Sequence, residues 1–153
     1  MGKKNKTRGL SVGGMFTPLR HEEHDSKAYM ELTGNAAKLY GYMVRVARTV
    51  AIKLGATCEY TVIFDYTYTE AKNRGFSTST FKRVIKELWQ CGFINVVEIG
   101  GRTASKARGR MPSKYQLCKL WRTYGSEWRE RTRFEADPWE HRAEPKKTEQ
   151  ARW

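Results

Sequence analysis

The sequence predicts one α+β domain whose elements follow in the order helix, strand, helix, helix, strand, basic loop and strand. Three observations lead to this prediction: apolar stripes at helical spacing, short runs of β-branched residues, and a length of 153 residues, which suits one core rather than two. Hydrophobic residues make up 39% of the chain and charged residues 29%, so we expect polar tails around the domain. We place the domain at residues 26–125, a disordered basic tail at 1–25 and a C-terminal tail at 126–153.

Two helices are predicted before the first strand. Asp25 or Ser26 can cap a short helix over residues 27–32, and the Thr33-Gly34-Asn35 turn separates it from a long helix over residues 36–54. The apolar side chains of the long helix recur at helical spacing, which predicts one buried face. They are Ala36, Leu39, Tyr40, Met43, Ala47, Val50, Ala51 and Leu54.

A strand and two more helices are predicted next. Residues 60–64 are β-branched and aromatic, which favours a short strand. Thr67 and Glu70 have the spacing of a capping box, which predicts a short helix that ends near Arg74. A further helix follows Ser77, and its apolar residues recur at i, i+3, i+4, i+7 and i+8. They are Phe81, Val84, Ile85, Leu88 and Trp89.

The last predicted strands enclose a basic loop, and the composition changes after them. Residues 93–99 and 114–120 favour strands, and Gly100-Gly101 opens the loop between them. Residues 126–135 can form one more helix, and from Asp137 onward we expect disorder. Exposed tryptophans in such a tail are expected to serve as anchors for a protein partner. They are Trp128, Trp139 and Trp153.

The net charge of +13 is concentrated in two parts of the chain. Residues 1–20 carry a net charge of +5 and residues 66–125 carry +9, whereas residues 126–153 are neutral overall. Clustered positive charge of this kind is the electrostatic pattern of a protein that binds a polyanion. Nucleic acid is therefore the predicted class of partner, and a membrane surface is disfavoured because the apolar positions are committed to a core.

Several other classes are disfavoured by the sequence. No run of about 18 apolar residues predicts a membrane-spanning helix, and the basic N-terminal stretch lacks the apolar segment of a signal peptide. The chain has no phosphate-binding loop, nucleophile elbow or dinucleotide fingerprint, so we expect neither an enzyme nor a cofactor. We expect a cytoplasmic protein associated with the nucleoid or with a mobile element.

Metal binding is also disfavoured. His21-Glu22-Glu23-His24 brings two histidines and two carboxylates together, but the spacing is not that of an HExxH site. We therefore interpret it as a solvated linker. Three cysteines at wide spacings indicate neither a disulfide framework nor a zinc site, and we expect them to be small buried hydrophobes. They are Cys58, Cys91 and Cys118.

Five consecutive segments together carry a resemblance: the helix at 68–74, the turn at 75–77, the helix at 78–88, the junction at 92–94 and the basic loop at 100–115. In this order they resemble the winged helix-turn-helix family, most closely its members from plasmid or phage replication and regulation modules. The resemblance covers about two thirds of the chain and implies a DNA-binding domain with the loop as its wing. The loop departs from many regulators of the family because it is longer and has no acidic residue.

The residues expected to touch DNA lie on the polar side of the 78–90 helix and in the wing. A helix in the major groove needs one apolar face against the domain and one polar face toward the bases. The helix candidates are Thr78, Ser79, Thr80, Lys82 and Arg83 for base contacts and Lys86 for the phosphate backbone. The wing candidates are Arg102, Lys106, Arg108, Arg110 and Lys114. Similar proteins place an arginine such as Arg102 at the minor groove.

The predicted function is therefore sequence-specific binding of double-stranded DNA, used in replication initiation of a plasmid or phage. One alternative is a transcriptional repressor that binds a palindrome as a homodimer. A second alternative is an RNA- or ribonucleoprotein-associated basic protein, because winged helices also bind RNA. A protein partner of the C-terminal tail is expected in the replication role.

Overall fold

The computed structural model describes residues 17, 19–102 and 110–140. Within them the chain has five α-helices and a three-stranded antiparallel sheet, which confirms the α+β class. The helices are α1 His21–His24, α2 Lys27–Glu31, α3 Gly34–Leu54, α4 Tyr68–Asn73 and α5 Thr78–Gln90. The strands are β1 Phe64–Tyr66, β2 Ile94–Glu98, β3 Gly101–Arg102, β4 Arg110–Met111 and β5 Ser113–Leu117. The short pair β3–β4 forms a separate hairpin between β2 and β5.

The sheet has the strand order β1–β5–β2, with α4 and α5 placed in the sequence between β1 and β2. Phe64 pairs with Tyr115, and Ile94 pairs with Leu117. Alternate residues of each strand face one way, so these four side chains are buried on the helical side of the sheet. The core therefore lies between the sheet and helices α3 and α5.

Four helices begin after a hydroxyl side chain that caps them. The capping residues are Ser26 for α2, Thr33 for α3, Thr67 for α4 and Ser77 for α5. Ser26 accepts a hydrogen bond from the Tyr29 amide at the start of α2, and Thr33 accepts one from the Ala36 amide at the start of α3. At α4 the capping box between Thr67 and Glu70 is complete. These bonds satisfy amides that have no partner inside their own helix, so they fix where each helix begins.

The apolar stripe of α3 is buried as predicted except at its C-terminal end. Six of its eight side chains are buried and Val50 is half-buried, but Leu54 is 71% exposed. Ile52 is exposed as well. The prediction for Leu54 is wrong because the last turn of α3 extends beyond the core before the chain reverses at Gly55, whose φ is +65°.

Two strand boundaries differ from the prediction. Residues 60–64 do not form one strand, because Glu59–Thr61 is a 3-10 turn held by hydrogen bonds from Thr61 to the Cys58 carbonyl. Pairing begins only at Phe64, where the chain lies opposite β5. At the other end β5 stops at Leu117, since the Trp121 amide donates to the Gly92 carbonyl and turns the backbone into a 3-10 turn.

The N-terminal prediction is corrected at residues 21–24. These residues form α1 rather than a solvated linker, and the Glu23 side chain is only 3% exposed. Tyr40 donates a hydrogen bond to the Glu23 carboxylate, and burial raises the pKa of that carboxyl above its ordinary value. The basic residues before Thr17 lie outside the described part of the chain.

The C-terminal prediction is corrected as well. Residues 126–135 contain no α-helix; the 3-10 turn Arg131–Arg133 lies there instead. A continuous helix is prevented because the chain reverses at Gly125, whose amide donates to the Trp128 carbonyl. Trp139 packs edge-on against Trp89 at 5.9 Å, so it contacts this chain rather than forming an exposed anchor.

Trp128 is likewise half-buried and contacts the rings of Tyr124 and Phe134. Trp153 and the predicted disorder after Glu140 lie outside the described residues. No helix in the described ranges is long and apolar enough to cross a membrane.

Candidate nucleic-acid interface

Helix α5 is held in the domain by the apolar stripe that the sequence predicts. Its five members are all buried, and Val84 and Leu88 are fully enclosed. Near the start of the helix, the ring of Phe81 lies 6.0 Å from Tyr66 and 6.5 Å from Tyr68. Burial on this scale fixes one side of α5 against the core and leaves the opposite side to solvent.

The exposed side of α5 carries the polar residues expected to contact DNA. The residues exposed along it are Thr78, Ser79, Lys82, Arg83, Lys86 and Gln90. Thr80 differs from this group because it is half-buried and its Oγ1 accepts a hydrogen bond from Ser77 Oγ at 2.9 Å. The exposed stripe therefore presents three cations together with hydroxyl and amide groups, the side chains that pair with base edges and phosphates.

The acidic residue within α5 is turned toward α3. Glu87 accepts hydrogen bonds from the Thr33 amide at 2.7 Å and from Thr33 Oγ1 at 2.9 Å. Because its carboxylate is occupied at the start of α3, it does not lie between Lys82, Arg83 and Lys86 as a competing anion. The same bonds fix one edge of α5 to α3.

Trp139 borders the opposite edge of the exposed stripe. The ammonium of Lys86 lies 5.7 Å from the centre of the Trp139 ring, a cation–π contact. The expected phosphate contact of Lys86 therefore starts from a side chain that already rests on an aromatic surface. This contact could not be predicted from the sequence because the two residues are 53 positions apart.

The hairpin that follows β2 contains the predicted wing. Arg102 pairs with Arg110 across β3 and β4, and Gly101 pairs with Met111. At the base of the hairpin, the Gly100 amide donates to Ser113 Oγ at 2.9 Å. Lys106 and Arg108 fall outside the described residues, so the structure brings together only the backbone positions of Arg102 and Arg110 from the predicted wing set.

A chain of contacts connects the start of α5 with the base of this hairpin. Phe81 in the first turns of α5 contacts Tyr66, and Tyr66 pairs with Ser113 at the start of β5. Ser113 in turn receives the Gly100 amide. The N-terminal half of α5 and the hairpin base therefore lie toward the same end of the sheet.

Lys114 belongs to the outer face of the sheet and has an acidic neighbour. Its ammonium lies 3.4 Å from a carboxylate oxygen of Asp65, its register partner in β1. This pair is partly exposed, so the attraction is modest, but it lowers the positive charge that Lys114 offers to a polyanion. The ion pair therefore weakens the case for a phosphate contact by Lys114.

Arg74 is an exposed cation in the turn between α4 and α5 that was not among the predicted DNA-binding residues. It is the C-cap residue of α4, four positions before α5, and its guanidinium lies 4.6 Å from the centre of the Tyr42 ring. The Lys38 ammonium donates to the Arg74 carbonyl at 3.2 Å. The charge excess of residues 66–125 includes Arg74, and its place in the turn between α4 and α5 was the available indication.

The described residues hold no group of three or more His, Cys, Asp or Glu side chains close enough to bind a metal ion. An open cavity of about 400 Å³ lies where α1 and α2 meet the turn at residues 121–126, away from the exposed stripe of α5. Its lining includes the Glu22–Arg122 ion pair at 3.3 Å.

The cysteines differ from one another in burial. Cys91 is buried as predicted, and burial raises the pKa of its thiol to about 12. Cys58 and Cys118 are only half-buried, so the prediction of a buried hydrophobe is wrong for these two. All three are free thiols.

Comparison with known proteins finds no matching family model, no matching curated protein and no matching solved structure.

Proposed function

We propose that this protein binds double-stranded DNA with α5 in the major groove and the β3–β4 hairpin against the neighbouring groove. In this proposal α4, the turn at residues 74–77 and α5 form a helix-turn-helix, the hairpin is its wing, and the fold is a winged helix. The observation that carries the proposal is the division of α5 into a buried apolar side and an exposed basic side, with the hairpin base at the same end as its first turns.

The chemistry of the exposed stripe fits duplex recognition. Arginine forms paired hydrogen bonds with guanine, glutamine can do so with adenine, and serine or threonine reaches either bases or phosphates. Arg83 and Gln90 lie on the outward side of α5, and Ser79 lies in its first turn. We assign base contacts to Thr78, Ser79, Thr80, Lys82 and Arg83, and backbone contacts to Lys86 and Arg74.

The wing supplies sequence-independent attraction in this proposal. Between Arg102 and Lys114 the chain has five cations and no acidic residue. Cations that neutralise phosphates release counterions, which makes affinity depend on salt. If α5 and the wing neutralise about six to eight phosphates, log K falls with log salt at a slope of about −5 to −7.

Fluorescence anisotropy on labelled duplex DNA across a salt series tests the proposal. We expect the steep slope for the unmodified chain and a slope lower by about 3 for the K82A/R83A/K86A variant. A matched control is R45A/K53A/R129A, which removes the same charge from exposed cations on α3 and in residues 126–140. Salt-independent binding, or equal losses in both triple variants, would overturn the proposal.

The biological use that we propose is replication initiation on a plasmid or phage, which rests on the resemblance of this element order to such modules. Monomeric binding to directly repeated sites is expected in that role. A DNase footprint separates it from repression, because a repressor dimer protects two symmetric half-sites about one helical turn apart. Competition between duplex DNA and structured RNA at fixed salt separates both roles from RNA binding.

A further inference from the structure

Arg131 is a buried charge at the C-terminal end of α5. Only 1% of its side chain is exposed, although it lies in a segment whose neighbours Glu130, Thr132 and Arg133 are all exposed. Removing a guanidinium from water is costly unless its donors are satisfied by well-placed acceptors. The contacts of Arg131 therefore reveal which parts of the molecule this residue joins.

The Arg131 guanidinium bonds to acceptors in both elements that meet at this corner. Its Nη1 donates to the Trp89 carbonyl and to the Ile94 carbonyl, each at 2.9 Å, and Nη2 donates to Asn95 Oδ1. Its Nε donates to the Glu135 carboxylate at 2.7 Å. These acceptors comprise the last turn of α5, the first two residues of β2 and the segment of Arg131 itself.

The ring of Trp89 strengthens the same junction. The guanidinium carbon of Arg131 lies 4.7 Å from the centre of that ring, and Trp139 meets the ring edge-on at 5.9 Å. We call residues 126–140 the C-terminal strap. The strap thus contacts the last turn of α5 through Arg131 and Trp139 and also contacts Lys86 on the exposed side.

We propose that Arg131 is a positioning residue for DNA recognition: it fixes the angle between α5 and β2 and so sets how the helix enters the major groove. This inference rests on the proposed function. Its physical basis is that one planar group with several donors holds the helix terminus and the edge strand in a single geometry. Base contacts depend on that geometry more strictly than phosphate contacts do.

Replacing Arg131 should change DNA binding differently from replacing a residue that touches DNA. Because Arg131 is enclosed, its replacement removes no cation from the surface that faces a polyanion. The salt slope of binding should therefore stay unchanged, whereas the affinity for a preferred site and the preference for that site over random duplex both fall. A role in overall stability alone would leave both values unchanged at temperatures where the protein is folded.

The test compares R131M with R133M on the preferred duplex, after that site has been selected from random sequences with the unmodified chain. Methionine keeps much of the side-chain length and removes the donors, and R133M makes the same chemical change at an exposed position of the strap. Kd is measured at a temperature where thermal unfolding shows both variants to be folded. We expect Kd to rise at least about tenfold for R131M, the loss of about 1.4 kcal/mol, and to change less than about twofold for R133M. Equal Kd values for the two variants would overturn the inference.

A second variant serves if R131M does not fold. N95A removes one acceptor of Arg131 and leaves the guanidinium bound to Trp89, Ile94 and Glu135. We expect the same pattern at smaller size: a Kd raised about threefold with an unchanged salt slope. Unchanged affinity in a folded N95A variant would contradict the proposal.

Amide hydrogen exchange over residues 86–94 gives a readout that needs no DNA. We expect exchange there to be about tenfold faster in N95A or R131M than in R133M, because the helix end opens more often. Equal exchange rates overturn the inference about Arg131. Absence of duplex binding by the unmodified chain overturns the proposed function and with it any role of Arg131 in DNA recognition; fast exchange in the variants would then show only that Arg131 holds α5 to β2.

Discussion

The rings of Phe81 and Tyr66 lie 6.0 Å apart and connect the first turns of α5 to β1. Both side chains are buried, and Tyr66 pairs with Ser113 at the base of the hairpin. One aromatic contact thus relates the position of the helix to that of the hairpin. The stability of the domain and the alignment of its proposed DNA-binding surface depend on the same residues.

Replacing Phe81 with alanine is expected to lower the free energy of unfolding by about 3 kcal/mol. The change removes the ring that packs on Tyr66 and Tyr68 and leaves a cavity at the start of α5. Urea denaturation followed by circular dichroism measures the loss. Lys82→Ala, at the next and exposed position, is the control and should leave the free energy of unfolding nearly unchanged. A similar midpoint for both variants would show that the Phe81 ring contributes little to the core.

Replacing Gly92 with alanine is expected to cost about 3 kcal/mol of stability. Gly92 has a φ of +83°, which is strained for other residues, and an added Cβ would lie 2.7 Å from the Trp121 backbone nitrogen. Gly75→Ala is a matched control, since Gly75 has a φ of +91° but nothing within 4 Å of an added Cβ. It should cost only about 1 kcal/mol.

Thermal unfolding of the two glycine variants separates backbone strain from crowding. The control reports the strain alone, and the difference between the variants reports the close approach of the 120–121 backbone to Gly92. Equal losses would mean that this backbone moves aside without cost.

Local patterns predicted most of the fold because their causes are local. The capping box of Thr67 and Glu70 and the apolar stripe of α5 depend on residues within two helical turns of one another. Strand boundaries were less accurate because pairing decides them: residues 60–63 have strand-forming side chains, but β1 begins only where the chain meets β5. Local preference alone does not determine which residues of such a run find a partner.

The two buried charges that the sequence did not predict depend on contacts between distant parts of the chain. Glu23 meets Tyr40, which lies 17 positions later, and Arg131 meets Trp89, which lies 42 positions earlier. In sequence both charged residues look like ordinary members of polar tails. Burial of a charge requires an acceptor or donor supplied by another element, and that element is visible only once the fold is assembled.

Glu23→Gln is expected to raise stability at neutral pH and to lose this advantage in acid. Burial raises the pKa of Glu23 in the folded state above its ordinary value of 4.5, so the folded protein binds a proton that the unfolded chain releases. Between these two pKa values the folded state holds more protons, and the free energy of unfolding therefore falls as pH rises. Glutamine keeps the oxygen that accepts from Tyr40 and has no charge to bury.

Chemical denaturation of Glu23→Gln and of the unmodified chain measures the difference in their free energies of unfolding. A range of about pH 4 to 8 covers the titration of a carboxyl whose pKa is raised. The stability gain of Glu23→Gln should be largest near neutral pH and shrink as pH falls through the raised pKa toward 4.5. Glu22→Gln is the control, because Glu22 is an exposed neighbour paired with Arg122. A pH-independent difference between Glu23→Gln and the unmodified chain would contradict a raised pKa at Glu23.

Replacing Arg83 and Arg108 with alanine, one at a time, is expected to change DNA binding in different ways. Arg83 is exposed on the outward side of α5, where the proposed function assigns it to a base edge. Arg108 lies outside the described residues, and the proposed function assigns it to the wing and to a phosphate contact. Losing a base contact costs about 1–3 kcal/mol at one position of the site, whereas losing a phosphate contact weakens binding to all sequences alike.

Selection from random duplexes, followed by Kd measurements on the preferred site and on scrambled DNA, distinguishes the two arginines. Arg83→Ala should reduce the ratio of the two affinities by about tenfold or more and relax the selected sequence at one position. Arg108→Ala should lower both affinities equally and reduce the salt slope by about 1. If Arg83→Ala instead lowers both affinities alike, α5 contacts only the backbone, and the reading of sequence must be assigned to another part of the molecule.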